Sequence, residues 1–288
     1  MPSKFTRTSA NLANGNFIPQ VWSKKLQAKF YAKTSLDITC NTDWEGEVKG
    51  QGSEVEIRVE PNVTVDDYTP GKKINYQDLQ DDLITLPIDK AKIFAFRVDD
   101  IDAAQADIKI INSATTSGSK NTRISIEKSV YGSVYASATS TITSAQATKT
   151  TVIDWIVDAN VLLSELNVPE EGRWILMPYW VGGLIKKSDL KDASISGDLN
   201  TSVMRKGVIG MIDGMQIILS NNLAGGTVSG NPAQCMAGHR SAISFASQFV
   251  KTETIRLQDT MGDAVRGLNV YGFAVTKPDS LVSMPVYK

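Results

Sequence analysis

An α+β fold is predicted for this chain of 288 residues by three patterns in its sequence. Apolar and charged residues alternate without a fault over residues 53–60, which indicates a strand with one solvated face. Apolar residues recur at spacings of three and four between residues 101 and 138 and again between 151 and 166, which indicates amphipathic helices. Two apolar runs flank Asp213-Gly214, which predicts a hairpin with a two-residue turn.

We predict that the stretch from residue 86 to about 138 organises the fold. Its first part is typical of a strand, with apolar side chains at the even positions Leu86, Ile88, Phe94, Phe96 and Val98. From Ile101 the apolar spacing becomes helical, and a second helical run places Ile126, Val130 and Val134 on one face. Residues 115–119 are poor helix formers, so we expect the long helix to be broken or bent there.

The rest of the chain is predicted to supply further helices, loops and strands. Thr151 begins a helix that Pro169 ends, and Pro178 begins another helix after a short apolar strand at 174–177. Polar or glycine-rich stretches at 189–206 and 223–232 are predicted to be loops. Later strands are expected at 207–212, 215–220, 234–238, 250–257 and 268–276.

The composition excludes some classes of function. Thirty basic and 31 acidic side chains nearly cancel, so the chain as a whole is not expected to attract nucleic acid. No apolar run is long enough to cross a membrane, and Cys40 and Cys235 lack the spacing of metal ligands. We therefore expect a soluble cytoplasmic protein whose two cysteines are reduced and not bonded to each other.

Charge is distributed unevenly near the start of the chain. Residues 1–36 carry six basic side chains and no acid, whereas residues 46–92 carry ten acids and six bases. The first segment is predicted to be either a solvated basic helix or an arm that lies on a neighbouring molecule. In the second case, its charges would attract the acid-rich segment of that neighbour.

Residues 46–98 are predicted to form a β-ribbon with few bulky apolar residues near its middle. An isolated two-stranded ribbon is only marginally stable in water, so this one needs a surface to pack against. The sequence shows no obvious surface for it elsewhere in the chain. We therefore expect residues 53–92 to project from the body and to contact another subunit more than their own.

No catalytic residue, cofactor or metal is predicted. His239, the one histidine, follows an apolar run and precedes an amphipathic one, so it is expected at a strand-to-helix junction. Catalysis by this residue would also need a nucleophile and an orienting acid, and the sequence offers no such set. We expect His239 to form structural hydrogen bonds only.

The order of several short motifs resembles that of the major capsid proteins of tailed bacteriophages. These motifs are FIPQVWS at 17–23, DWEG at 43–46, GSEVEI at 52–57, VDDY at 65–68, FAFRVDD at 94–100, LNVPEEGRW at 166–174, GMIDGM at 210–215 and SNNL at 220–223, with Gly272 and Pro278 in the closing strands. The resemblance extends from about residue 17 to residue 286.

This resemblance implies the phage major capsid fold, which tailed-phage capsids share with encapsulins. The fold has an N-terminal arm, an extended β-hairpin called the E-loop, a peripheral domain with a long spine helix, and an axial domain. The corresponding ranges are 1–45 for the arm, 46–98 for the E-loop and peripheral strands, 99–149 for the spine helix and peripheral domain, 150–265 for the axial domain and 266–288 for closing strands.

The resemblance also implies a structural role in a virion. Subunits would assemble as hexamers and pentamers into an icosahedral or prolate shell around double-stranded DNA, inside the bacterial host cytoplasm. Portal and scaffolding proteins would be partners, a decoration protein could be another, and no membrane would be involved. Candidate interface residues are Phe17, Trp22, Lys24, Lys25, Val55, Ile57, Val59, Asp66, Asp67, Tyr68, Lys72 and Lys73.

Two alternatives remain open at this point. An encapsulin-like nanocompartment shell would share the fold and would carry a groove for a cargo peptide. A soluble α+β enzyme with a β-ribbon insertion would need polar catalytic groups clustered around His239.

Overall fold

The strands of the described residues form a seven-stranded sheet, a three-stranded sheet and a two-stranded ribbon. The computed structural model describes residues 34–44, 54–59, 63–65, 67, 76, 82–99, 108–188, 210–257 and 262–288. Most of the predicted basic arm, the predicted helix start at 101–107 and the predicted loop at 189–206 lie outside these ranges.

The described ranges contain four helices, three short 3-10 turns and twelve strands. The helices are α1 (Leu36–Thr39), α2 (Ile108–Val134), α3 (Thr151–Glu165) and α4 (Tyr179–Lys187), and the turns are Tyr135–Ser137, Arg240–Ala242 and Pro278–Ser280. The strands are β1 (Glu54–Val59), β2 (Asp82–Pro87), β3 (Lys90–Asp99), β4 (Ser140–Thr141), β5 (Ala145–Gln146), β6 (Arg173–Met177), β7 (Met211–Ile212), β8 (Met215–Leu219), β9 (Ala233–His239), β10 (Ile243–Arg256), β11 (Gly262–Val275) and β12 (Leu281–Tyr287).

The seven-stranded sheet has an apolar core on each face. Its order is β4-β12-β9-β6-β8-β7, and β5 also pairs with β12. On one face, Ile175 and Met177 of β6 are buried with apolar side chains of α3 and α4. On the other face, Trp174 and Leu176 pack with the C-terminal half of α2. Because β6 is buried on both faces, its sequence is a nearly continuous apolar run.

Several local predictions for this part of the chain are confirmed. Helix α3 buries Val152, Ile156, Ala159 and Leu163 of the predicted stripe, and Pro178 is the N-cap of α4. Leu166, the fifth member of that stripe, follows the helix and is 41% exposed. The β7–β8 hairpin turns at Asp213 and Gly214, with φ values of 50° and 73°. The predicted closing strands at 266–288 include the position of β12, but no bounds were predicted for it, because Pro285 interrupts its apolar pattern and proline is unusual inside a strand.

The three-stranded sheet has the order β10-β11-β3, with both pairs antiparallel. The predicted boundary at residue 265 falls inside β11, which runs from Gly262 to Val275. The helix predicted after His239 is wrong, because only a 3-10 turn separates β9 from β10. Residues 242–246 are all buried, so both faces of this strand are apolar and its spacing imitates a helix.

Helix α2 is continuous through residues 115–119, so the break predicted there is wrong. The small side chains bring the helix close to the three-stranded sheet. A Cβ atom on Gly118 would lie 2.7 Å from Cδ2 of Phe94 in β3, which is too close for a real contact. The hydroxyl of Thr122 donates to the carbonyl of Gly118 at 2.9 Å within the same helix. Tertiary packing therefore outweighs the low helix propensity of this stretch.

The chain passes between the two larger sheets at the three 3-10 turns. Tyr135–Ser137 follows α2, Arg240–Ala242 connects β9 to β10, and Pro278–Ser280 connects β11 to β12. These turns are tied together, because the Thr139 amide donates to the carbonyl of Pro278 at 3.3 Å and the Thr276 amide donates to the carbonyl of Ala242 at 2.9 Å. We call these three turns the waist.

Candidate functional site

The ribbon formed by β1 and β2 is anchored on its own chain. Val55 and Ile57 of β1 are buried together with Leu86 of β2, and this face packs on Ala246 of β10 and Val270 of β11. Val55 and Ile57 are thus covered by their own chain, and their role as interface residues stays a prediction. The long β10–β11 pair supplies the surface that the sequence did not reveal.

Gly272 of β11 allows the ribbon to approach this closely. A Cβ atom at this position would collide with the main-chain carbonyl of Pro87, the last residue of β2. Any larger side chain would have to displace the ribbon from the sheet. The base of the ribbon is therefore fixed by backbone contact as well as by apolar burial.

The segment between β1 and β2 is different, because its described apolar residues face solvent. Val65 is 94% exposed, Tyr76 is 91% exposed and Val63 is 58% exposed. Val59, at the end of β1, is half-buried, and Asp67 lies in this segment. We call Val63, Val65 and Tyr76 the distal ribbon residues. Their exposure leaves apolar area available to a second molecule.

Strand β3 offers a second surface of this kind. Among the described residues it pairs only with β11, so its other edge has main-chain donors and acceptors without strand partners. Ile93, in the middle of this strand, is 66% exposed. A free strand edge with an exposed apolar side chain is a template for pairing with another chain.

A third surface lies on α3 and the β7–β8 hairpin. Asn160 of α3 donates from Nδ2 to the carboxylate of Asp213 at 2.8 Å and to its main-chain carbonyl at 3.0 Å. Val157 and Val161 of α3 and Met211 of β7 are exposed. Neither these residues nor Ile93 were predicted as interface residues from the sequence. Val157 and Val161 interrupt the polar face of the α3 pattern, which is the signal that could have revealed them.

The other predicted interface residues lie outside the described part of the chain. They are Phe17, Trp22, Lys24, Lys25, Asp66, Tyr68, Lys72 and Lys73. Their role as interface residues stays a prediction.

Comparison with known protein families gives a match over residues 84–284, to a family described as phage capsid protein. This match begins within β2 and ends within β12, and it includes β3, α2, the three-stranded sheet and the waist. The chain belongs to the phage capsid protein family. The resemblance found in the sequence and the predicted phage capsid fold are thereby confirmed.

Solved structures similar to this capsid protein come from several phages. A structure from Mycobacterium phage Che8 is 30% identical, with a TM-score of 0.78, and the match covers 94% of this chain and 98% of that chain. The capsid of cyanophage P-SCSP1u matches at 14% identity and a TM-score of 0.72, with 94% of each chain covered. The mature capsid of bacteriophage PhiM1 matches at 13% identity and a TM-score of 0.68, covering 93% of this chain and 91% of that chain. Curated protein sequences gave no match.

The capsid protein is thus a structural subunit that assembles with copies of itself into the shell of a virion. Membership of this family favours a phage capsid subunit over the two alternatives, an encapsulin-like shell protein and a soluble enzyme. None of the helices in the described ranges has the length and apolar character needed to span a membrane. Within the same ranges, no group of three or more histidine, cysteine or acidic side chains is placed to hold a metal ion.

His239 of the capsid protein ties β9 to the turn before β6. Its Nε2 donates to the main-chain carbonyl of Glu171 at 2.8 Å, which leaves Nδ1 as the acceptor. Nδ1 lies 2.8 Å from the hydroxyl of Ser241 and accepts from the Ser241 amide at 3.2 Å. The contact between His239 and Ser241 was not expected. The other ring nitrogen, Nε2, faces the peptide carbonyl of Glu171, whereas a catalytic triad has a carboxylate at that place.

Both cysteines of the capsid protein are free and buried, as predicted. Cys40 packs in the core beneath α2, and Cys235 packs in the core beneath α3. Burial raises the pKa of the Cys40 thiol to about 12 and also raises the pKa of Cys235. Thiols in such surroundings are unreactive because they are not ionised at neutral pH.

Proposed function

We propose that this capsid protein forms the hexamers and pentamers of an icosahedral or prolate shell around packaged double-stranded DNA. The observation that carries the proposal is the contrast within the ribbon. Its base is covered by its own chain, whereas Val65 and Tyr76 in the connecting segment are almost fully exposed. A molecule that acts alone would gain nothing from exposing these side chains, but a neighbour in a shell would cover them.

The parts of the subunit can be assigned to the capsid fold on this basis. Residues 1–45 are the arm, residues 46–87 are the E-loop, and α2 is the spine helix. The three-stranded sheet belongs to the peripheral domain and the seven-stranded sheet to the axial domain. The axial domain then comprises residues 140–239 together with β12, which replaces the range of 150–265 predicted from the sequence.

Partners other than copies of this chain follow from the same role. A shell that is filled with DNA needs a portal for entry and a scaffolding protein to set its size, and a decoration protein could bind outside. The lysines of the arm would offset phosphate charge on the inner face. The subunits would assemble in the cytoplasm of a bacterial host, and the protein would have no catalytic activity of its own.

The experiment compares assembly and folding in ribbon variants. Purified wild-type protein is expected to form shells visible by negative-stain electron microscopy. The double variant Val65→Ser with Tyr76→Ser should reduce shell yield by about tenfold or more, because buried interface anchors contribute on the order of 2 kcal/mol each. The thermal unfolding of its unassembled subunit should match wild type. Val65→Ile is the conservative control and should assemble normally.

Ile57→Ser supplies the opposite control, because Ile57 is buried against its own chain. This variant should lower the unfolding temperature of the unassembled subunit itself. If the Val65 and Tyr76 variant assembles as well as wild type, the ribbon contact between subunits is refuted. If wild type forms no shell under any condition, the proposed function is refuted.

A further inference from the structure

A buried carboxylate lies where three separate segments of the chain meet. Glu127, in the C-terminal half of α2, is fully buried. Its Oε2 accepts from the amide of Ser35 at 3.1 Å, and its Oε1 accepts from the Ser35 hydroxyl at 3.0 Å and from the Ser220 hydroxyl at 3.2 Å. The side chain of Asn222 also bonds to it. Ser35 precedes α1, whereas Ser220 and Asn222 follow β8 of the seven-stranded sheet.

The donors around Glu127 are neutral, and they continue into a chain of hydroxyl groups. The Ser35 hydroxyl lies 2.9 Å from the hydroxyl of Tyr131, which lies 3.0 Å from that of Thr39. Thr39 in turn is 3.3 Å from the main-chain carbonyl of Ser35. Each hydroxyl can both donate and accept, so this chain can run in either direction. The cluster can therefore satisfy Glu127 in its ionised and in its neutral form.

A buried charge without a cationic partner is costly, and apolar residues of similar size would be at least as stable. Burial raises the pKa of Glu127, and hydrogen bonds from Ser35 lower it. The pKa values of Tyr131 in α2 and of Cys40 after α1 are raised, chiefly by burial and further by the nearby Glu127 carboxylate. Asp37 of α1 is exposed. A buried carboxylate such as Glu127 is expected where directional contacts matter more than stability.

Directional contacts matter here because α1 has only four residues. Leu36 and Cys40 attach it to the core by apolar contacts, which do not set an angle. The bonds from both the amide and the hydroxyl of Ser35 to one carboxylate do set an angle. Residues 34–40 belong to the predicted arm of residues 1–45, so their orientation determines the direction of the chain at that point.

We propose that Glu127 is a positioning latch that fixes residues 34–40, which belong to the predicted arm, to α2 and to residues 220–222. The importance of this attachment for assembly rests on the proposed function. The latch predicts that residues 34–44 loosen when the carboxylate is lost, while the two larger sheets stay folded.

Hydrogen exchange measured by mass spectrometry on unassembled subunits tests the latch directly. In Glu127→Ala, the peptide covering residues 34–44 should exchange at least about tenfold faster than in wild type, which is the effect of losing one hydrogen bond to a charged group. Peptides from β6 should exchange at the wild-type rate. Glu127→Gln retains an acceptor oxygen and can reverse the hydroxyl chain, so it should restore most of the protection. Ser133→Ala is the matched control, because Ser133 is exposed on the same helix and its hydroxyl donates to the main-chain carbonyl of Ser129.

Two outcomes would overturn the latch. One is wild-type exchange of residues 34–44 in a folded Glu127→Ala subunit, and the other is equal acceleration in the alanine and glutamine variants. If Glu127→Ala does not fold, Ser220→Ala removes a single donor and should still accelerate exchange of residues 34–44, and unchanged exchange there would refute the latch. Shell formation is scored separately. Failure of wild type to assemble refutes the proposed function, whereas normal exchange in the variants refutes the latch alone.

Discussion

The two cysteines illustrate how burial controls chemistry at the scale of single residues. Cys40 and Cys235 are in separate cores, and the raised pKa of each thiol keeps it protonated at mildly alkaline pH. A disulfide-exchange reagent such as Ellman's reagent should therefore detect no thiol in the folded subunit and two after unfolding in guanidinium. Ser144→Cys, at an exposed position, should add one thiol that reacts at once. Rapid reaction of the folded wild type would contradict this expectation.

At the scale of elements, the features that depend on neighbouring residues in the chain were predicted from the sequence. The features that depend on packing between distant segments were not. The stripe of α3 and the Asp213-Gly214 turn depend on neighbouring residues, and both were predicted correctly. The continuity of α2 depends on Phe94, and the burial of Val55 depends on β10 and β11. The interface role of residues 17–25 was proposed from their basic charge together with the resemblance to phage capsid proteins. The burial of Glu127 could not be predicted from the sequence, because a single glutamate on a predicted helix is normally solvated.

Two glycines of α2 provide a matched test of this packing. Gly132→Ala places a methyl group in open space, so it should raise the free energy of unfolding by about 1 kcal/mol through helix propensity. Gly118→Ala gains the same propensity but presses on the ring of Phe94, and overpacking costs about 1–3 kcal/mol. The second variant should therefore be less stable than the first in urea denaturation of unassembled subunits. Equal stabilisation by both changes would show that α2 is not tightly packed on β3.

At the scale of the whole molecule, the separation of charge predicts how assembly responds to salt. The first 36 residues carry six bases without an acid, and residues 46–92 carry a net acidic charge. If these segments attract each other between neighbouring subunits, the attraction is screened over about 10 Å at 0.1 M salt. The yield of shells, followed by light scattering, should fall as the salt concentration rises. Shells that form equally well at low and high salt would argue against contact between arm and ribbon.

The waist has a mechanical consequence for a subunit that is pulled from both ends. Three separate passages of the backbone, at residues 135–139, 240–242 and 276–280, join the two larger sheets side by side. A stretching force between the sheets is therefore divided among three segments of the backbone, whereas a single linker would carry the whole force. A protease that cuts one of these passages leaves the other two intact. The two larger sheets should consequently stay connected after cleavage of any one of the three passages.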